Sequence, residues 1–172
     1  MIKELWILIK MMFATRPSDF IYKDMEVLTM KHFPFEGYRY LCWCGKIVTR
    51  AEKKAVIERF LTTKAGFLSK THERGHCVQA ISEHGDNWIR YYLNYLWHWV
   101  KHNPLAKPAH ACYLVSRYEC EAYAQEEHPE YWDLEKYTRE NLRGKYTIKN
   151  AKKLYKQLGS TSEAWKAYVK TL

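Results

Sequence analysis

The pattern of apolar and polar residues changes character near residue 50. Before that point, short apolar runs bounded by turn-forming residues predict strands. The predicted strands are residues 25–30, 38–44 and 46–49, with a turn at 34–37 and Gly45 before the last one. From Ala51 onward, apolar residues recur at three- and four-residue spacing, which predicts helices. The chain is therefore expected to be α+β and mostly helical, with a small N-terminal antiparallel sheet followed by a helical bundle.

Capping residues divide the second part of the chain into helices. The predicted helices are residues 51–62, 68–84, 88–102, 108–127, 147–158 and 162–171. Gly66 is interpreted as a break between the first two, and Gly85 as a C-terminal cap. Asp86 or Asn87 is expected to cap the next helix. The apolar run at residues 5–14 is interrupted by Lys10 and is too short to span a bilayer, so a docked helix or strand is favoured over a signal peptide.

Composition indicates one compact domain over residues 1–172. Hydrophobic residues make up 47% and aromatic residues 16% of the chain, which is not typical of disorder. The net charge of +9 favours anionic partners, although a basic surface is the simpler interpretation. The lysines at 149–156 are expected on the solvated face of a C-terminal helix, and no nucleic acid is expected as partner. Five cysteines, an odd number, favour a reducing compartment, with cytoplasm as the default location.

The segment from His72 to His76 reads His-Glu-Arg-Gly-His. On a helix, residues four apart share a face, so both imidazoles can bind one zinc ion. Glu73 would then lie beside the open position of the metal, where its carboxylate can act as a general base toward water. A hydrolytic zinc site also requires a third protein ligand.

The helix predicted from Pro108 carries two candidates for this ligand. At about 100° per residue, Glu119 shares the more apolar face and should point to the core, where a lone carboxylate needs a partner such as zinc. Glu121 lies about 160° away and is expected to be solvated, with a supporting or ion-pair role. Glu119 is therefore the favoured third ligand, and Glu121 is the alternative.

These two motifs together resemble the gluzincin metallopeptidases. In that group, the two histidines of the first motif and a glutamate from a second helix bind zinc. The layout is more narrowly similar to small, uncharacterised bacterial gluzincin-like (minigluzincin-like) proteins, over about residues 30–135. The matching segments are residues 32–35, His76 with Gln79, and residues 119–126. Tyr123 departs from the pattern, because many members have there an aspartate that orients a ligand histidine.

The resemblance implies Zn²⁺ bound by His72, His76 and Glu119, with Glu73 as general base. The expected function is hydrolysis of peptide bonds in a peptide or protein substrate. Two alternatives stay open: a latent or inactive zinc-binding protein whose C-terminal helices cover the cleft, and a basic module that binds nucleic acid or an anionic surface. A weak peripheral membrane contact and export are kept as secondary expectations.

Several supporting roles are also left open at this stage. Gln79 is expected either to line the pocket or to pack, and Glu126 either to support a ligand histidine or to pair with a basic residue. A donor for an oxyanion could come from many aromatic or histidine side chains. The candidates are Tyr91, Tyr92, Tyr95, His98, His102, Tyr118 and Tyr123.

Overall fold

The computed structural model describes residues 1–21, 26–34, 36, 38–101, 113–138 and 151–171. The helices in this part of the chain are α1 (Ile2–Ala14), α2 (Lys53–Thr62), α3 (Lys64–His84), α4 (Trp88–Lys101), α5 (Arg117–Ala124), α6 (Ala151–Gln157) and α7 (Ser162–Val169). The strands are β1 (Glu26–Thr29), β2 (Leu41–Trp43) and β3 (Lys46–Thr49), and short 3₁₀ helices cover Pro17–Asp19 and Pro129–Trp132. The prediction of a mostly helical α+β fold is confirmed.

The sheet is mixed, not wholly antiparallel as predicted, and has the order β1-β3-β2. A two-residue turn at Cys44 and Gly45, both with positive φ, joins β2 to β3 as an antiparallel hairpin. β1 instead pairs with β3 in parallel, with Glu26 opposite Lys46. β1 and β2 thus occupy opposite edges of the sheet, with β3 between them.

Helices cover both faces of this sheet. Successive residues of β3 point to opposite faces. Val48 packs with Leu8 of α1, and Ile47 packs with Val56 and Phe60 of α2. The apolar run at residues 5–14 is therefore part of a docked helix. Among the described residues, no helix combines the length and the apolar character that crossing a membrane requires.

The boundaries of α3 follow from its caps. Thr63 accepts a hydrogen bond from the amide of Gly66 at 2.9 Å, and the helix ends at Gly85 with φ of +63°. The predicted break at Gly66 is wrong, because this glycine lies in the first turn of α3. A Cβ there would lie 2.1 Å from the carbonyl oxygen of Arg59, so glycine allows α2 and α3 to approach closely.

The helix that carries Glu119 is shorter than predicted. α5 begins at Arg117, because Ser116 has an extended backbone with ψ of 140°, and it ends at Ala124. The predicted start at Pro108 lies outside the described residues, as do Cys112 and His102. α5 lies between α3 and α7, so both of its sides are covered. The predicted C-terminal helices are present as α6 and α7, and Thr161 caps α7.

Candidate metal centre

Two neighbouring helices bring three predicted ligands together. His72 and His76 lie one turn apart on α3 with ring centroids 5.0 Å apart, and Glu119 comes from α5. Its Oε2 lies 3.3 Å from Nε2 of His72, and its Oε1 lies 3.2 Å from Nε2 of His76. All three side chains are buried, and their ligand atoms lie within 4.8 Å of one another. This group could hold a metal ion.

The charges of the three groups are strongly coupled. Burial would raise the pKa of Glu119, but His76 and His72 hold that pKa well below its usual range. Burial would lower the pKa of His76, but the Glu119 carboxylate raises it to about 9. Without a metal ion, the protein therefore neutralises the buried carboxylate with a proton on His76. A metal ion can replace that proton, since metal binding requires neutral imidazole.

Two carboxylates at the base of this site each have a buried oxygen without a hydrogen-bond partner. Among the described residues, these oxygens are Oε2 of Glu73 and Oε2 of Glu119. Buried polar atoms are normally satisfied, so unsatisfied acceptors at one site favour a bound cation or water. Burial raises the pKa of Glu73, against the opposing effect of His72 and His76. Glu73 is thus a carboxylate with a free oxygen and an increased proton affinity beside the candidate ligands.

Gln79 connects His76 to Glu121. The Oε1 atom of Gln79 lies 2.9 Å from Nδ1 of His76. Its Nε2 donates to Oε2 of Glu121 at 2.9 Å and to the carbonyl oxygen of Tyr118 at 3.1 Å. Of the two roles expected for Gln79, this geometry is that of a packed, buried side chain that orients a histidine. In the sequence, the three-residue spacing between His76 and Gln79 is the feature that indicates this contact.

Glu121 does not lie on the solvated side of its helix as predicted. It is fully buried, against Gln79 of α3 and the tyrosines that follow α5 in the sequence. Besides the bond from Gln79, its carboxylate accepts a hydrogen bond from Tyr131 at 2.8 Å. The Tyr137 hydroxyl lies 3.2 Å from Glu121 but 2.8 Å from Oε1 of Glu83, so the two carboxylates share its one hydrogen. Burial raises the pKa of Glu121, and the bonds from Gln79 and Tyr131 oppose that rise. Glu121 therefore supports the site from behind and lies outside the group that could hold the metal.

Tyr123 packs against His72 where the resemblance would place an orienting aspartate. The two ring centroids are 4.5 Å apart, and the ammonium of Lys166 lies 4.1 Å from the centroid of the tyrosine ring. Nδ1 of His72 is buried and has no hydrogen-bond partner in the described part of the chain. His72 is thus held by ring packing, whereas His76 is held by a hydrogen bond. Glu126, the other residue considered for support, lies 2.9 Å from Lys170 instead.

A cleft of about 440 Å³ opens onto Glu73, His76 and Glu119. Its walls come mainly from β2, α4 and the segment before β2, and are predominantly aromatic. They include Tyr38, Tyr40, Trp43, Trp88, Tyr91, Tyr92, Tyr95, Trp99 and Tyr113. None of the described residues of α6 or α7 lines this cleft. Such an aromatic lining beside a few polar groups is typical of ligand-binding pockets.

Among the described oxyanion candidates, Tyr95 hydrogen-bonds to a candidate metal ligand. Its hydroxyl donates to Oε1 of Glu119 at 2.7 Å, and burial keeps its pKa well above the usual value. Two other candidates are engaged elsewhere. The hydroxyl of Tyr118 lies 2.9 Å from Nε2 of His84, and that of Tyr92 accepts the amide hydrogen of Cys44 at 2.8 Å.

Comparison of the chain with protein-family models, with curated proteins and with solved structures found no match.

Proposed function

We propose that this protein is a zinc-dependent metallopeptidase. The observation that carries the proposal is the convergence of His72, His76 and the Glu119 carboxylate at the base of a cleft. Glu73 lies beside them with a free, buried carboxylate oxygen. Two imidazoles and one carboxylate form a ligand set typical of catalytic zinc, which keeps one coordination position for water.

The interatomic distances are compatible with zinc, and the ligand types favour it. Ligand atoms about 2.0–2.1 Å from a tetrahedral zinc are separated from each other by roughly 3.3 Å. The Glu119 oxygens lie 3.3 Å from Nε2 of His72 and 3.2 Å from Nε2 of His76. Mg²⁺ and Ca²⁺ prefer oxygen ligands in larger number, so the two imidazoles argue against them.

The roles of the side chains follow from their positions. Zinc, when bound here, supplies a Lewis acid that brings the pKa of water toward neutrality. The raised proton affinity of Glu73 suits a general base that takes the proton from the attacking water and passes it to the leaving amine. Gln79 fixes the ring of His76, and Tyr95 fixes the carboxylate of Glu119. The aromatic walls exclude water and bind an apolar side chain of the substrate.

The latent alternative has less support. It requires the C-terminal helices to cover the cleft, but α7 packs against α5 at the back of the site. A zinc-binding protein without hydrolytic activity remains the competing outcome, and the free Nδ1 of His72 is the observation that favours it. A histidine that binds a metal usually donates its other ring N–H to a hydrogen-bond acceptor. Loss of that acceptor weakens the metal site.

The test combines metal content with activity. We expect about one zinc ion per chain in the wild type, as a single-site stoichiometry. Glu119→Gln, which preserves shape, should lose zinc, while Glu121→Gln should retain it at reduced affinity. Glu73→Gln should retain zinc and lose hydrolysis of a peptide library. A wild-type protein that takes up no zinc at neutral pH would refute the metal site, and zinc retention with unmeasurable hydrolysis would leave only the binding function.

A further inference from the structure

One side of α1 presents apolar side chains to solvent. Leu8 of α1 is buried against the sheet. At about 100° per residue, the residues on the other side form one stripe along the helix. The exposed members of this stripe are Ile2 (80%), Leu5 (47%), Trp6 (56%) and Phe13 (74%). Lys3 and Lys10 follow along one border of the stripe, and the ammonium of Lys10 lies 5.4 Å from the Trp6 ring centroid.

A second stripe of the same kind lies on α4. This helix buries Trp88 and Tyr91 on its inner side. Its exposed apolar residues are Leu93 (62%), Leu96 (51%), Trp97 (63%) and Val100 (46%). The same helical spacing puts Arg90 and Lys101, both exposed, along one border of this stripe.

The two helices hold these stripes in a fixed arrangement. α1 packs against α4, and Trp43 bridges them. Its indole donates to the carbonyl oxygen of Leu8 at 2.8 Å, and its ring stacks on Tyr92 at 4.3 Å. We call the eight exposed apolar residues of the two stripes, with Lys3, Lys10, Arg90 and Lys101, the α1–α4 surface. Most of the exposed large hydrophobic side chains in the described part of the chain belong to these two helices.

Basic residues outnumber acidic ones along these two helices, although Asp86 directly precedes α4. The sequence contains no Asp or Glu from residue 87 to residue 118, and α1 contains only Glu4. Glu4 points away from the exposed stripe, since its carboxylate accepts the amide hydrogen of Lys31 at 2.7 Å and lies 2.8 Å from Nδ1 of His32. The whole chain carries a net charge of +9. The surface is therefore apolar in its centre and basic at its border.

We propose that the α1–α4 surface binds the protein peripherally to membranes that contain anionic lipids. Amphipathic helices with Trp, Leu and Phe on one face and lysines beside them insert their apolar face at the lipid headgroup boundary. Trp6 and Trp97 are of the residue type that is enriched at this boundary. A symmetric contact with a second copy would bring the basic borders of two chains together, which like-charge repulsion opposes.

The position of this surface also relates it to the cleft. Leu96 belongs to the α4 stripe and at the same time lines the cleft. A protein that docks through α1 and α4 would therefore hold the cleft entrance next to the lipid surface. The binding itself depends only on the α1–α4 surface and not on the proposed peptidase function.

The test is co-sedimentation of the full chain with vesicles. We expect binding to vesicles of equal parts phosphatidylcholine and phosphatidylglycerol, and little binding to pure phosphatidylcholine. The double variant Lys3→Gln/Lys10→Gln should bind roughly thirtyfold more weakly, at about 1 kcal/mol per basic residue near an anionic surface. Trp6→Ser/Trp97→Ser should also abolish quenching of tryptophan fluorescence by brominated lipids. All four side chains are exposed, so these variants should fold.

Matched controls lie on α2, across the sheet from α1. Leu61→Ser removes a side chain that is 75% exposed, and Lys53→Gln/Lys54→Gln removes two exposed charges. These controls should bind within about twofold of the wild type, because screening limits the effect of distant charges. Absence of wild-type binding, or equal losses in the α2 controls, would overturn the proposal. The proposal would also be overturned if the wild type formed a dimer that Trp97→Ser dissociates and bound neither kind of vesicle. The surface would then bind a second copy of the chain.

Discussion

Replacing Gln79 with leucine should weaken zinc binding although it removes none of the three ligands. The Nε2 atom of Gln79 donates to two acceptors, the Glu121 carboxylate and the Tyr118 carbonyl oxygen. Its Oε1 must therefore be the atom that faces Nδ1 of His76, and that nitrogen must carry a proton. Nε2 of His76 is then the nitrogen available to a metal. Leucine at position 79 cannot accept this hydrogen bond, so it neither fixes the tautomer of His76 nor holds the orientation of its ring.

The expected loss is 10- to 100-fold in zinc affinity, or about 1.4–2.7 kcal/mol, the range for removal of a hydrogen bond that orients a ligand. Competition with a chromophoric chelator measures it. Gln157→Leu, an exposed glutamine on α6, is the matched control and should bind zinc like the wild type. Because leucine also leaves Glu121 with fewer partners, stability should fall by about 1–3 kcal/mol, so affinity is measured well below the melting temperature. Wild-type affinity in Gln79→Leu would refute the argument.

Three further predictions concern pH, metal removal and packing. When a chelator keeps the protein free of metal, the raised pKa of His76 should stabilise the folded state fully below pH 6.5. This contribution should disappear as the pH rises through about 9, and urea unfolding at several pH values measures the change. Zinc should bind more tightly over the same rise, because it displaces the proton. Removing zinc should lower the melting temperature, since a ligand at a thousandfold excess over its Kd contributes about 4 kcal/mol; in Glu119→Gln the melting temperature should not respond to zinc. Gly75→Ala should cost about 1–3 kcal/mol in urea unfolding, because a Cβ there would lie 2.6 Å from Cζ2 of Trp132.

Local signals predicted much of the fold. Gly85 acts as the cap that its position indicated, because a cap depends on the few residues around it. Gly66 was misinterpreted because a glycine at a close helix–helix contact has the same appearance in a sequence as a glycine at a break. The parallel pairing of β1 could not be predicted either. It depends on the path between residues 30 and 40, for which strand patterns carry no information.

The predicted site was obtained by reasoning that was only partly correct. The spacing of His72 and His76 dictates their shared face on any helix, and the structure has them there. Glu119 was selected by a helical wheel that extended through Val115 and Ser116, which lie before α5 begins. The same wheel assigned Glu121 to solvent. Burial of Glu121 depends on Gln79 of α3 and on the tyrosines at 131 and 137, and no pattern within α5 reports these contacts.

The two buried glutamates of α5 differ in the groups that surround their carboxylates, and this difference separates the candidate metal ligand from the residue that supports it. Glu121 accepts hydrogen bonds from a tyrosine hydroxyl and an amide, and the positive charge of Arg117 also acts on it, so its charge is compensated without a metal ion. Glu119 faces two imidazole nitrogens and one hydroxyl, and one of its oxygens has no hydrogen-bond donor. A buried anion in such a place needs positive charge, which a proton on His76 supplies only below a pH of about 9. A divalent cation supplies it at every pH at which the histidines are neutral. The incomplete environment of Glu119, more than its location, therefore identifies it as the glutamate that could bind a metal ion.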